Sequence, residues 1–197
     1  AARHHRWQSA SRLFGAGNWW NHCGLVNGYF TNMNPDKGTI VQPDWPGARS
    51  SIYEDVGETD VVVTVVFDNL IDNQAGPQVC IVPSATDFSL GFAAEHGIGG
   101  YFLWAMGRQA SDIRVIDQSF EALPPKGTPI ELKMTVGNGG TKVTCAADGV
   151  DKLVDVPIPA ALQGSTTHGL SVDANGDASR APNVPAIAAS SYTIVTA

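Results

Sequence analysis

The chain has 197 residues, 43% of them apolar and 16% charged, with a net charge of −7 and a pI near 5.0. That length fits one domain with a full core, while the acidic balance works against capture of nucleic acid or of an anionic membrane surface. No apolar run approaches the roughly 20 residues that a membrane-spanning helix needs, so membrane insertion is not expected.

So little charge leaves a surface of neutral Ser, Thr, Asn, Gln and Gly, which suits a virion or extracellular location. The N-terminus shows no secretory signal core, and the chain reads as a piece of something longer or as a processed product. Cys23, Cys80 and Cys145 lack the close pairing that zinc sites and redox motifs use. Cys80 and Cys145 fall in apolar strand sequences, where a free thiol behaves as a small core residue. A disulfide through Cys23 stays open.

Residues 1–12 form a basic stretch with Trp7 embedded, expected as a linker or docking arm; residues 13–197 form a single domain. Phe14 and the pair Trp19-Trp20 open it. Leu25-Val26-Asn27-Gly28-Tyr29-Phe30 predicts a hairpin, because Asn-Gly suits the twisted two-residue turn between strands. Short strands are expected over Gly38–Val41 and Ser51–Tyr53. Asp60 to Phe67 is β-branched almost throughout and apolar on both faces, which predicts a central strand covered on both sides.

Strands at Gln78–Val82, Phe88–Ala93, Tyr101–Met106 and Ile113–Ile116 continue at even spacing, the pattern of an all-β sandwich. The last third adds strands at Ile130–Val136 and Val143–Ala147, the turn Asp148-Gly149, and a strand at Lys152–Val156. Pro159 to Gln163 supplies barely one helical turn. Strands at His168–Val172 and Ser191–Val195 close the chain.

That order, with its aromatic opening, its Val26-Asn27-Gly28 hairpin and Asp60 leading a long β-branched strand, resembles the concanavalin A-like (laminin G-like) jelly roll. The resemblance covers about residues 13–197 and implies two antiparallel sheets packed as a β-sandwich. In composition the chain is also similar to such modules in bacteriophage minor tail and other virion proteins.

Glycoside hydrolases of this fold place acids two apart on one strand, so that both carboxylates reach one face. Glu58 and Asp60 have that spacing. However, Val61, Val62 and Val63 fill the places of a third acid, and Gly57 points to a turn joining Glu54, Asp55 and Glu58. Asp87, Glu95 and His96 lie beside Gly97, Gly99 and Gly100, which favours a loop. No nucleophile elbow, phosphate loop or zinc-protease motif is present, so the chain is not expected to be an enzyme.

Asp173-Ala174-Asn175-Gly176-Asp177 resembles the opening of a calcium loop but lacks the closing Glu; a plain Asn-Gly turn is the simpler reading. Laminin G-like domains often bind calcium at a sheet rim, so the resemblance keeps Asp173, Asn175 and Asp177 as calcium candidates, with Asp68, Asn69, Asp72 and Asn73 as a second cluster.

Sugar rings stack on exposed aromatics, because the C–H face of a pyranose is apolar. Trp104, Tyr101, Trp45, Trp20 and Arg108 are the candidate pieces, each weighed against a place in the core. Trp104 and Tyr101 have opposite parity on one strand, so only one of them can face a groove.

The leading expectation is a noncatalytic recognition module of a virion (phage tail-type) or extracellular assembly, binding surface glycans. The alternatives are a structural virion subunit docking on neighbouring subunits through its N-terminal arm, and a glycan-cleaving enzyme. Oligomeric state is left open, a homo-oligomer included.

Overall fold

Runs of Val, Ile, Thr and Phe form strands because branched side chains suit a pleated surface, and the Gly, Asn and Asp between them supply tight turns. The structure is a computed structural model that describes residues 2–4, 24–26, 29–31, 47–70, 74–80, 89–95, 99–106, 114–125, 128–175 and 187–196. Among these residues the strands form two antiparallel sheets.

The larger sheet holds β1 (Ala2–His4), β2 (Gly24–Val26), β3 (Tyr29–Thr31), β5 (Val61–Leu70), β10 (Ile130–Gly137), β11 (Lys142–Ala147), β12 (Val150–Pro157) and β14 (Ile187–Thr196). Its order is β12-β11-β10-β5-β14-β3-β2, and β1 pairs with the far end of β14. The smaller sheet holds β4 (Gly47–Asp55), β6 (Gln74–Cys80), β7 (Ser89–Glu95), β8 (Gly100–Met106), β9 (Arg114–Phe120) and β13 (Thr167–Asn175). Its order is β4-β13-β6-β7-β8-β9. The chain changes sheets after β3, β4, β5, β9, β12 and β13, so the core lies between two faces built from distant segments. From the larger sheet come Val63, Val65, Phe67, Leu132, Met134 and Ile194, and Leu90, Phe92, Leu103 and Leu170 close over them from the smaller.

The predicted strands recur with shifted ends. Strands on either side of Asn27-Gly28 pair as a hairpin, with Val26 opposite Tyr29. Asp148 and Gly149 take φ of 48° and 76°, the left-handed pair that a type I′ turn needs. After β12 comes a 3-10 turn, Ala160–Leu162. Cys145 is fully buried and unbonded, and burial pushes its thiol well above the usual range. Gly38–Val41 lies outside the described residues.

Three expectations change. β5 is central, but over residues 61–67 Val61, Val63, Val65 and Phe67 are buried while Val62, Thr64 and Val66 face outward half-covered. Ala2–His4, read as part of an arm, pairs with Thr193–Val195 as a strand of the sheet. β9 runs on to Phe120, beyond the predicted end at Ile116.

One end of the sandwich is tied by side chains. Asp60 Oδ1 accepts the Gly140 amide at 2.9 Å and Oδ2 the Gly139 amide at 3.2 Å. Asn138, Gly139 and Gly140 all have φ between 57° and 75°, which turns successive N–H groups toward one acceptor. Alongside, His168 on β13 is fully buried, with Nε2 2.9 Å from the Glu58 carbonyl oxygen. A carbonyl only accepts, so Nε2 carries a proton. Burial lowers the His168 pKa, against the opposing effects of the Glu58 bond and of Asp55.

At the free edge the β11–β12 ladder shifts register twice, between Val143 and Cys145 and between Cys145 and Ala146. On β12, Asp155 holds φ of 53°. Val150 and Val154 on the same strand are exposed.

Two outcomes are expected of this end. Asp60→Ala removes the acceptor for two backbone amides and lowers stability by about 2 kcal/mol, a Tm fall of about 6 °C by calorimetry. An unchanged Tm rejects the tie. His168 binds its proton less readily folded than unfolded, so its contribution is complete above about pH 6.5 and is lost as pH falls from there toward the lowered folded value. Tm against pH flattens over that window in His168→Gln; an identical slope in both proteins assigns the acid sensitivity elsewhere.

Candidate functional site

Alternation along β8 sorts its side chains. Tyr101, Leu103 and Ala105 join the core, which turns Phe102 and Trp104 to the outer face of the smaller sheet. On β9, Gln118 stands opposite Phe102, Val115 opposite Trp104, and Phe120 opposite Gly100. A register shift between Leu103 and Trp104 lets Val115, Gln118 and Phe120 share that face. The two strands pass closely at Gly100, where a Cβ would lie 2.5 Å from the Ser119 carbonyl oxygen.

The three rings form one cluster. Phe102 and Trp104 are tilted at 32° with centroids 5.4 Å apart, and Phe120 meets Phe102 edge-on at 5.8 Å. Phe102 is 1% exposed, Trp104 is half-buried and Phe120 is 64% exposed. Val115 and Gln118 beside them are exposed. Phe102 thus acts as the seat of the cluster, and Trp104 and Phe120 present its accessible rings. The Trp104 indole N–H is buried and meets no acceptor among the described residues. Chemically this strip offers flat apolar surface with an amide at its side, which suits an amphipathic ligand bearing one apolar face.

Of the residues expected to bind ligand, Trp104 is on this face. Tyr101 is not: its ring stacks on Phe92 in the core at 5.9 Å, as the parity of β8 dictates. Burial first, then Glu121 and Asp148, push its phenol up to about 12, so it stays protonated. Trp45, Trp20 and Arg108 lie outside the described residues.

The calcium candidates Asp173 and Asn175 lie within β13, paired with Arg49 and Gly47 of β4, so these two positions form ladder and not a loop. Asp177 is outside the described residues, as are Asp72 and Asn73; Asp68 and Asn69 belong to β5. Among the described residues no group of three His, Cys, Asp or Glu could hold a metal ion.

Of the acids before β5, Glu54 and Asp55 close β4, and Glu58 and Asp60 lie in the link that follows. Both Asp60 oxygens are taken by backbone amides, and Asp55 accepts the Gly57 amide at 3.0 Å. Hydrogen bonds from Thr166 and Gly57 hold the Asp55 pKa below its usual value. Glu95 ends β7, and its carbonyl accepts the Gly99 amide at 2.9 Å. His96 and Asp87 lie outside the described residues. A cavity of about 100 Å³ on the larger sheet, lined by Thr135, Asn138, Lys142, Thr144 and Asp155 among others, is well below the few hundred Å³ of a small-molecule pocket.

Sequence reasoning missed Phe102, Phe120 and Gln118. The spacing Phe102-x-Trp104 puts two aromatics on one strand face and was a usable signal. Phe120 was hidden because the polar run Asp117-Gln118-Ser119 reads as the end of a strand.

No family model matches the sequence, and no curated protein matches it. Solved structures do resemble the fold. The GH43 protein BlXynB from Bacillus licheniformis matches with a TM-score of 0.50 at 14% identity, over 87% of this chain and 34% of that chain. The carbohydrate binding module CBM66 from Bacillus subtilis matches at 0.46 and 9% identity, over 87% of this chain and 93% of that one. A double variant of human galectin-16 matches at 0.49 and 9%, over 81% and 99%. At such identities the likeness extends to the fold alone. The sheet order above, with the BlXynB likeness, makes this chain a two-sheet antiparallel β-sandwich.

Proposed function

We propose that the domain is a noncatalytic recognition module that binds a surface glycan on the outer face of its smaller sheet. The observation that carries this reading is the cluster of Trp104 and Phe120 seated on buried Phe102, with Gln118 alongside. A pyranose ring stacks its C–H face on such rings, and its hydroxyls take hydrogen bonds from an amide. Low charge supports placing the module in an extracellular or virion assembly, of the phage tail type. The competing reading is a structural virion subunit, which the exposed Val150 and Val154 on an edge strand favour.

Titrating the folded domain against a panel of cell-envelope glycans, with calcium and with a chelator, separates these readings. Saturable binding is expected, weakened about tenfold or more by Phe120→Ala and by Trp104→Ala. Phe120 is mostly exposed, so its truncation leaves the fold intact and serves as the cleaner variant. Sensitivity to the chelator would put calcium in the site. A folded domain that binds nothing in either buffer is a structural subunit.

A further inference from the structure

Phe120 ends an edge strand, since among the described residues β9 has β8 alone as its ladder neighbour. A ring so placed is free to swing unless something holds the strand end. Glu121, the next residue, supplies a hold. Its carboxylate accepts Ser119 Oγ at 3.0 Å and Lys152 Nζ at 2.6 Å. The residues on both sides of Phe120 therefore converge on one carboxylate. Lys152 reaches it from β12, the edge strand of the opposite sheet, with its side chain 14% exposed.

The ammonium also stands 5.0 Å from the centroid of Tyr101, whose strand neighbour on β9 is Ser119. β8 and β9 also pass closely at Gly100, where a Cβ would lie 2.5 Å from the Ser119 carbonyl oxygen. The lysine hydrogen bond is the chief cause that keeps Glu121 ionised below the usual carboxylate range.

We infer that Lys152 is a positioning residue: through Glu121 it fixes Phe120 on the ligand-facing side, so grip on a ligand is set from the opposite sheet. This rests on the glycan-binding reading of that face. Holding the ring in place before binding removes part of the ordering cost that binding would otherwise carry. The fold does not hang on the pair alone, because Leu123 packs on the core just beyond it.

Lys152→Met keeps the apolar stem and deletes the charge. In the intact chain it is expected to lower backbone ¹⁵N order parameters over residues 119–121 and to weaken glycan affinity about three- to tenfold through faster release. Lys152→Arg, or the exchange of Lys152→Glu with Glu121→Lys, is expected to restore both; Glu121→Gln should match the methionine variant and serves if that one fails to fold. Order parameters at 119–121 unchanged from wild type in a folded Lys152→Met or Glu121→Gln protein overturn the proposal, whatever the glycan result. Wild-type affinity in Lys152→Met, with Phe120→Ala impaired, also overturns it and leaves the glycan reading standing. Equal affinity of wild type and Phe120→Ala sinks the glycan reading alone, and the relaxation data still decide the latch.

Discussion

The carboxylate of Asp60 joins segments that are about eighty residues apart in sequence. It sits at the start of β5 and accepts amides from the turn between β10 and β11, so β5 and β10 meet with their ends aligned. From that alignment follow the pairs Val61 with Val136 and Phe67 with Ile130, and with them the inward set of β-branched side chains. A slip of one residue would turn that set to solvent. The turn can offer its amides because Gly139 and Gly140 accept left-handed backbone, and Gly140 also gives its carbonyl to the Gly164 amide. One side chain thus gathers the entry to β5, the β10–β11 turn and the return toward β13, where His168 seals the same end from within.

The two sheets divide the work. The larger one supplies most of the buried core. The smaller one lends its inner face to that core and turns an aromatic outer face to solvent along β8 and β9. Tyr101 and Phe102 are neighbours in sequence but serve opposite sides, one stacked within the core and one beneath Phe120. Rigidity inside and accessibility outside are therefore built from the same seven residues of β8.

Much of the architecture was legible because it rests on local chemistry. Asn27-Gly28 and Asp148-Gly149 announce their turns through backbone preference, and β10 announces itself through strict alternation, with Ile130, Leu132, Met134 and Val136 buried. The site was only half legible. Parity assigned Trp104 and Tyr101 to different faces, but could not say which was outside, since that depends on where the opposite sheet lies. Phe120 required knowing that β9 outlasts its apolar residues, which the ladder with β8 enforces and the local sequence does not. The pairing of Glu121 with Lys152 depends on a contact between two sheets, and nothing in the spacing of those residues encodes it. Asp173 and Asn175 lie in strand rather than loop for a related reason: β4 pairs along both, and β6 along Asp173, which draws them into ladder.

The irregular β12 bears on how the molecule behaves at high concentration. A straight, apolar edge strand is a template on which another chain can polymerise, and Val150 and Val154 would make this one adhesive. Two register shifts, the left-handed Asp155 and the terminal Pro157 interrupt the flat row of donors and acceptors that such growth requires. Asp151 and Asp155 add charge along the same stretch. Distortion of this strand is thus a safeguard against fibril-like stacking, and it lets the sandwich leave an edge open without inviting self-association through it.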